Sequence, residues 1–122
     1  MHLPDNFIQV LIVAGGWDRS QELSSTELMT YLPGSVMMWR QAEPLPRAMK
    51  GFRMVNLNNN IYLFGGISDA DQFLDSSLYG HIVSHDILRY KDGVWDNVGK
   101  MKTARVDHAV SVVNYKDMCK SD

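Results

Sequence analysis

Two glycine pairs close two matching apolar runs, Val10-Leu11-Ile12-Val13-Ala14-Gly15-Gly16 and Asn60-Ile61-Tyr62-Leu63-Phe64-Gly65-Gly66, and the pairs stand 50 residues apart. Self-similarity at such a period marks an array of supersecondary units, each of which buries its apolar surface against a neighbour. The echo continues past the glycines. A tyrosine, a tryptophan, an arginine and an apolar alternation ending in Val-Asn follow in one order: Tyr31, Trp39, Arg47 and Val55-Asn56 in the first unit, then Tyr90, Trp95, Arg105 and Val113-Asn114 in the second. The offsets between paired landmarks run from 50 to 59 residues, so insertions fall between landmarks, where surface connections belong.

The local pattern predicts an all-β chain. Short β-branched and aromatic runs, bounded by Asn, Gly, Pro and Asp, read as strands over residues 8–14, 27–32, 36–42, 51–57, 61–64, 87–90, 94–98 and 109–113. Pro33-Gly34, Asn58-Asn59-Asn60 and Asp92-Gly93 supply turn conformations at low steric cost, so each joins neighbouring strands of an antiparallel sheet.

Gly-Gly, Tyr, Trp and Arg in this order resemble the kelch repeat, one blade of a β-propeller, and the resemblance covers the chain from about Phe7 to Val113. It implies kelch-type blades of four antiparallel strands, lettered a to d from the propeller centre outward. Residues 8–42 then supply strands b, c and d of one blade, 51–98 a complete blade, and 109–113 a lone strand a, with 114–122 as a tail. Kelch units take roughly 50 residues and propellers about 4 to 8 blades, so 122 residues hold about two blades of an incomplete ring. A piece of a larger propeller is the leading expectation. Several chains sharing one ring, self-associating through open blade faces, and a two-blade monomer are the alternatives.

A formal net charge of −2 and the lack of Lys/Arg clusters argue against a nucleic-acid partner. The apolar run from Val10 to Ala14 is too short to span a bilayer, and residues 1–9 lack the basic start and apolar body of a secretory signal. Cys119 is the single cysteine, which excludes a disulfide within the chain and suits a reducing compartment. The expected location is the cytoplasm.

Chemistry-bearing patterns are sparse. The glycine pairs precede no Gly-Lys-Ser/Thr and open no helix, so they read as backbone turns or close approaches rather than a phosphate loop. Tyr31, Trp39, Tyr90 and Trp95 read as packing between blades. His81 and His85, with Asp71, Asp75 and Asp86 nearby, lie in a loop that does not bring the rings to one face, and ordinary polar loop residues explain them. His108 beside Asp107 has no nucleophile arranged around it by any recognisable motif, and Cys119 reads as a solvated thiol between lysines. No catalytic residue, metal site or cofactor is expected. Copper oxidases of kelch architecture need a tyrosine, cysteine and histidine set that this chain lacks.

Binding is therefore the expected role. In kelch propellers the b-to-c and d-to-a loops gather on the faces of the disc, and variable loops on a rigid scaffold present a recognition surface. The candidate contact residues are Trp17, Arg19, Met49, Lys50, Asp69, Gln72, Asp107 and His108. Arg47 and Arg105 are expected to buttress the blades, while Phe73, Leu74, Leu78, Tyr79 and Ile82 make the second b-to-c loop apolar enough to fold over its blade or meet a partner. The resemblance implies a protein-recognition module, as in substrate adaptors of cullin-based ubiquitin ligases or actin-associated scaffolds. The contrasting expectation is part of a propeller enzyme acting on a sugar or small molecule, whose completed ring would show a central pocket of converging polar groups.

Overall fold

The computed structural model describes residues 9–31, 34, 38–69 and 81–118. Three strands, β1 (Gln9–Ala14), β2 (Thr26–Tyr31) and β3 (Met38–Ala42), form one antiparallel sheet in the order β1-β2-β3. Four more, β4 (Arg53–Leu57), β5 (Asn60–Phe64), β8 (Asp86–Lys91) and β9 (Val94–Lys100), form a second in the order β4-β5-β8-β9. Between them in sequence, β6 (Ile67–Asp69) and β7 (His81–Val83) pair as a two-stranded ribbon. A one-turn helix, α1 (Tyr115–Met118), ends the described chain.

Turn chemistry sets the connections. Asn58 and Asn59 adopt φ of 53° and 66° between β4 and β5, and Asp92 and Gly93 adopt 52° and 81° between β8 and β9. These are the left-handed values that a tight hairpin requires and that Asn, Asp and Gly tolerate best. A register shift between Ile87 and Leu88 places one extra residue in β9, the local irregularity of a β-bulge.

Side chains alternate across each sheet, and the ladders show which face meets which. Ala14 and Thr26 are cross-strand partners in the first blade, and Ile12 shares their face. In the second, Leu63 pairs with Leu88, Ile61 with Tyr90 and Tyr90 with Trp95. These two faces meet in a core of Ala14, Leu45, Met49, Leu63, Leu88 and Trp95, flanked by Ile12, Phe52, Met54, Ile61 and Tyr90. Tyr90 and Trp95 pack ring to ring at 5.1 Å with a 53° tilt. The Trp95 Nε1–H crosses between the blades and donates to the buried hydroxyl of Thr26 at 3.1 Å.

The loop hydrogen bonds of the two blades superpose and correct three pairings expected from sequence. Gly15 N–H donates to Ser25 O, Gly16 to Met49 O, Leu45 to Ser24 O and Met49 to Leu23 O; in the second blade Gly65 donates to Asp86 O, Gly66 to Arg105 O, Met101 to His85 O and Arg105 to Ser84 O. Arg105 thus answers Met49 rather than Arg47. Gly51 and Asp107 share positive φ, 70° and 56°, which makes residues 109–113 the counterpart of β4 and sets Val113 against Leu57 rather than Val55. In the ladders Trp39 faces Met29 as Trp95 faces Tyr90, so Tyr90 answers Met29 and Tyr31 lies two residues further along. Tyr31 and Trp39 are exposed, against the packing role expected of them, because no described sheet lies on their side of the first blade.

Two further expectations change. Residues 109–113 form no strand here, since a strand needs a neighbour to accept its ladder bonds and none of the described strands lies beside them. The stretch 67–85, expected to be loop throughout, carries the β6–β7 ladder at its base. Gln72, Phe73, Leu74, Leu78, Tyr79, Asp71, Asp75 and Cys119 lie outside the described residues, as do parts of the first blade's expected strands.

Candidate functional site: the loop cluster at the glycine ends of the strands

The b-to-c turn of the first blade and the loop that follows β3 meet where the two glycine pairs sit. Residues 17 and 22 form an isolated antiparallel bridge around an Asx turn. Asp18 Oδ1 accepts the N–H of Ser20 at 2.9 Å, that of Gln21 at 3.0 Å and the Ser20 hydroxyl at 2.9 Å. The Ser20 amide, then that of Gln21, hold the Asp18 carboxyl below the usual aspartate value, because both bonds favour the charged form. Arg19, at the tip, adopts φ of 85° and is exposed.

Lys50 fastens this turn to the next blade. Its backbone exchanges two hydrogen bonds with Ile67, at 3.0 and 2.8 Å. Its Nζ stands 5.3 Å from the ring centroid of Trp17 and 3.8 Å from Glu22 Oε1. The Glu22 side chain is 5% exposed and that of Lys50 34%. A cation held between a buried carboxylate and an indole face is restrained by both, and the indole stays 57% exposed. The outcome is an exposed indole with a cation over its ring.

Of the expected contact residues, the structure brings Trp17 and Lys50 together, with Arg19 exposed at the tip of the same turn. Met49 is not among them: it is 2% exposed and belongs to the core, since its backbone is tied on both sides to Leu23 and Gly16. His108 does not project either. It takes the place of Phe52, its ring edge lying where a Cβ on Gly65 would stand, and both ring nitrogens are buried without a hydrogen-bond partner. Asp107 is exposed at the second d-to-a loop, and Asp69 closes β6 opposite His81. Gln72 lies outside the described residues. Glu22 was missed by sequence reading, as an acid in a polar turn looks unremarkable until the fold buries it.

Arg47 does act as a buttress. Its Nη2 donates to Asp86 Oδ2 at 2.9 Å, joining the loop after β3 to the start of β8. That contact accounts for Asp86, and among the described residues no group of three or more His, Cys, Asp or Glu is placed to hold a metal ion. No described helix is long and apolar enough to cross a membrane. At the opposite end of the strands, a groove of about 960 Å³ runs between Val10, Leu11, Ile12 and Tyr31 on one side and the Asn59-Asn60 and Asp92-Gly93 turns on the other.

The fold is that of β-propeller blades, all-β apart from α1, about two in number and not closed into a ring. No family model matches the sequence, and no curated protein matches it. Among 54 chains of solved structures that match it, one is titled "Structure of YjhT". It shares 16% sequence identity and superposes with a TM-score of 0.66 over 80% of this chain and 31% of its own length. The likeness is one of fold, and the chain spans about a third of that neighbour.

Proposed function

We propose that this chain is a protein-recognition module of the kelch type, engaging its partner through the loop cluster of Trp17, Arg19 and Lys50. The supporting observation is the Trp17–Lys50–Glu22 arrangement. An indole left 57% exposed yet backed by a restrained cation loses little side-chain freedom on binding, and Trp and Arg are the residue types that dominate binding energy in protein interfaces. The kelch resemblance points to a cytoplasmic adaptor or scaffold role without catalysis, with a ubiquitin-ligase substrate or an actin-like protein as the kind of partner. The test is affinity capture with the wild-type chain and with Trp17→Ala and Lys50→Glu variants. Specific proteins retained by the wild type and lost tenfold or more by both variants support the reading. A retained set indifferent to both substitutions overturns it.

A further inference from the structure

Among the described residues the first sheet has no strand at the place that β4 takes in the second. The second sheet places β4 on the edge of β5, whereas β1, the counterpart of β5, ends its sheet with no described strand on that edge. An unpaired edge is a template for another strand, and the groove beside it is lined by Val10, Leu11 and Ile12. Residues 109–113, the counterpart of β4 by the loop hydrogen bonds, pair with no described strand, and Val112 and Val113 are exposed.

We propose that residues 109–113 of a second copy of this chain pair antiparallel with the free edge of β1, completing the first blade and passing the same exchange from copy to copy around a closed ring. The β4–β5 ladder pairs Arg53 with Phe64, Asn56 with Ile61 and Leu57 with Asn60. Carried to the counterparts, the register sets Ala109 opposite Ala14, Val112 opposite Leu11 and Val113 opposite Val10.

The strand brings a second contact with it. The second blade of the donor copy would stand against the bare face of the recipient's first blade, as the two blades already meet within one chain. At that new interface the places of Leu28 and Leu88 are taken by Arg89 and Glu27. The Arg89 Nε is buried without a hydrogen-bond partner and Glu27 is a half-buried carboxylate. A cation and an anion on facing sheets supply the charge complementarity that a chance apolar contact lacks. Head-to-tail contacts of this kind generate rings when the rotation closes, and about 4 to 8 blades per propeller means two to four copies of two blades.

The experiment is light scattering coupled to size exclusion on the full chain. The expected mass is two to four times 13.9 kDa, falling to 13.9 kDa for Val110→Pro with Ser111→Pro. Consecutive strand residues direct their N–H groups to opposite sides, so one of these prolines removes a bond to β1 whatever the phase of the ladder. In a Cys119→Ser background, Leu11→Cys with Val112→Cys should yield a disulfide between chains, and the off-register pair Leu11→Cys with Ser111→Cys should yield at least fivefold less. A wild-type monomer, an assembly that survives the double proline, or equal crosslinking by the two cysteine pairs overturns the proposal. None of these readouts depends on the Trp17 cluster, so the recognition reading stands or falls separately.

Discussion

Leu63 and Val13 occupy the same ladder position in the two blades, yet Leu63 has no exposed surface and Val13 is 47% exposed. The same holds for Trp95, 6% exposed, and Trp39, 52% exposed. Alternation along each strand selects the same face in both sheets, so the contrast arises from the neighbour. The second blade has the first against that face, and the first has nothing there among the described residues. Burial in a repeat array is thus a property of position in the array, because each unit's apolar face is satisfied by the unit before it.

The largest break in this comparison should come from the tryptophans. Trp95→Ala removes a buried indole and its bond to Thr26, and should cost about 3–5 kcal/mol in denaturant unfolding. Trp39→Ala, measured in the Val110→Pro and Ser111→Pro background so that no second copy covers it, should stay within about 0.5 kcal/mol. Equal losses would mean that the two indoles have the same surroundings. Next, Leu63→Ala should cost about 2–5 kcal/mol, and Val13→Ala in that background well under half as much. Thr26→Val keeps the shape but strips the acceptor from the Trp95 N–H, so about 1–3 kcal/mol should be lost through an unsatisfied buried donor, with the Trp95 indole proton shifting in NMR spectra.

The smallest effect concerns the turn at the candidate site. Asp18 has its folded-state pKa depressed by the Ser20 and Gln21 amides. The turn is therefore supported above the ordinary aspartate value, and that support is lost as pH falls through the lower folded value. Titration of the Ser20 and Gln21 amide resonances should give a midpoint below that of an unperturbed aspartate. A midpoint at or above it would remove the Asx turn from this account.

Much of the fold was legible because it rests on local chemistry. The Asn58-Asn59 and Asp92-Gly93 turns and the β-branched runs beside them announced β4, β5, β8 and β9 to within two residues or so. The true counterpart of Arg105 was not recoverable, since two copies of a repeat with unequal loops do not say where the insertions lie; only hydrogen bonds placed it on Met49 rather than Arg47. The β6–β7 ribbon was hidden for another reason: each three-residue strand exists through a partner across a long connection. At the candidate site Trp17 and Lys50 were legible as residues of the connecting loops. Met49 was misread because one buried side chain within an irregular loop leaves no periodicity to detect.

The hydrogen bond from Trp95 to Thr26 also has a geometric consequence. Apolar surfaces tolerate sliding and rotation with little change in free energy, because dispersion and burial carry no direction, whereas an N–H to hydroxyl bond weakens steeply as it bends. One such bond across an oily seam keys the two sheets at a single relative angle. Ile87 stands at the Thr26 position of the second blade and offers no oxygen, so the onward face of that blade carries no such key. Within this chain the relative angle of the two sheets is thus set by a directional bond as well as by burial.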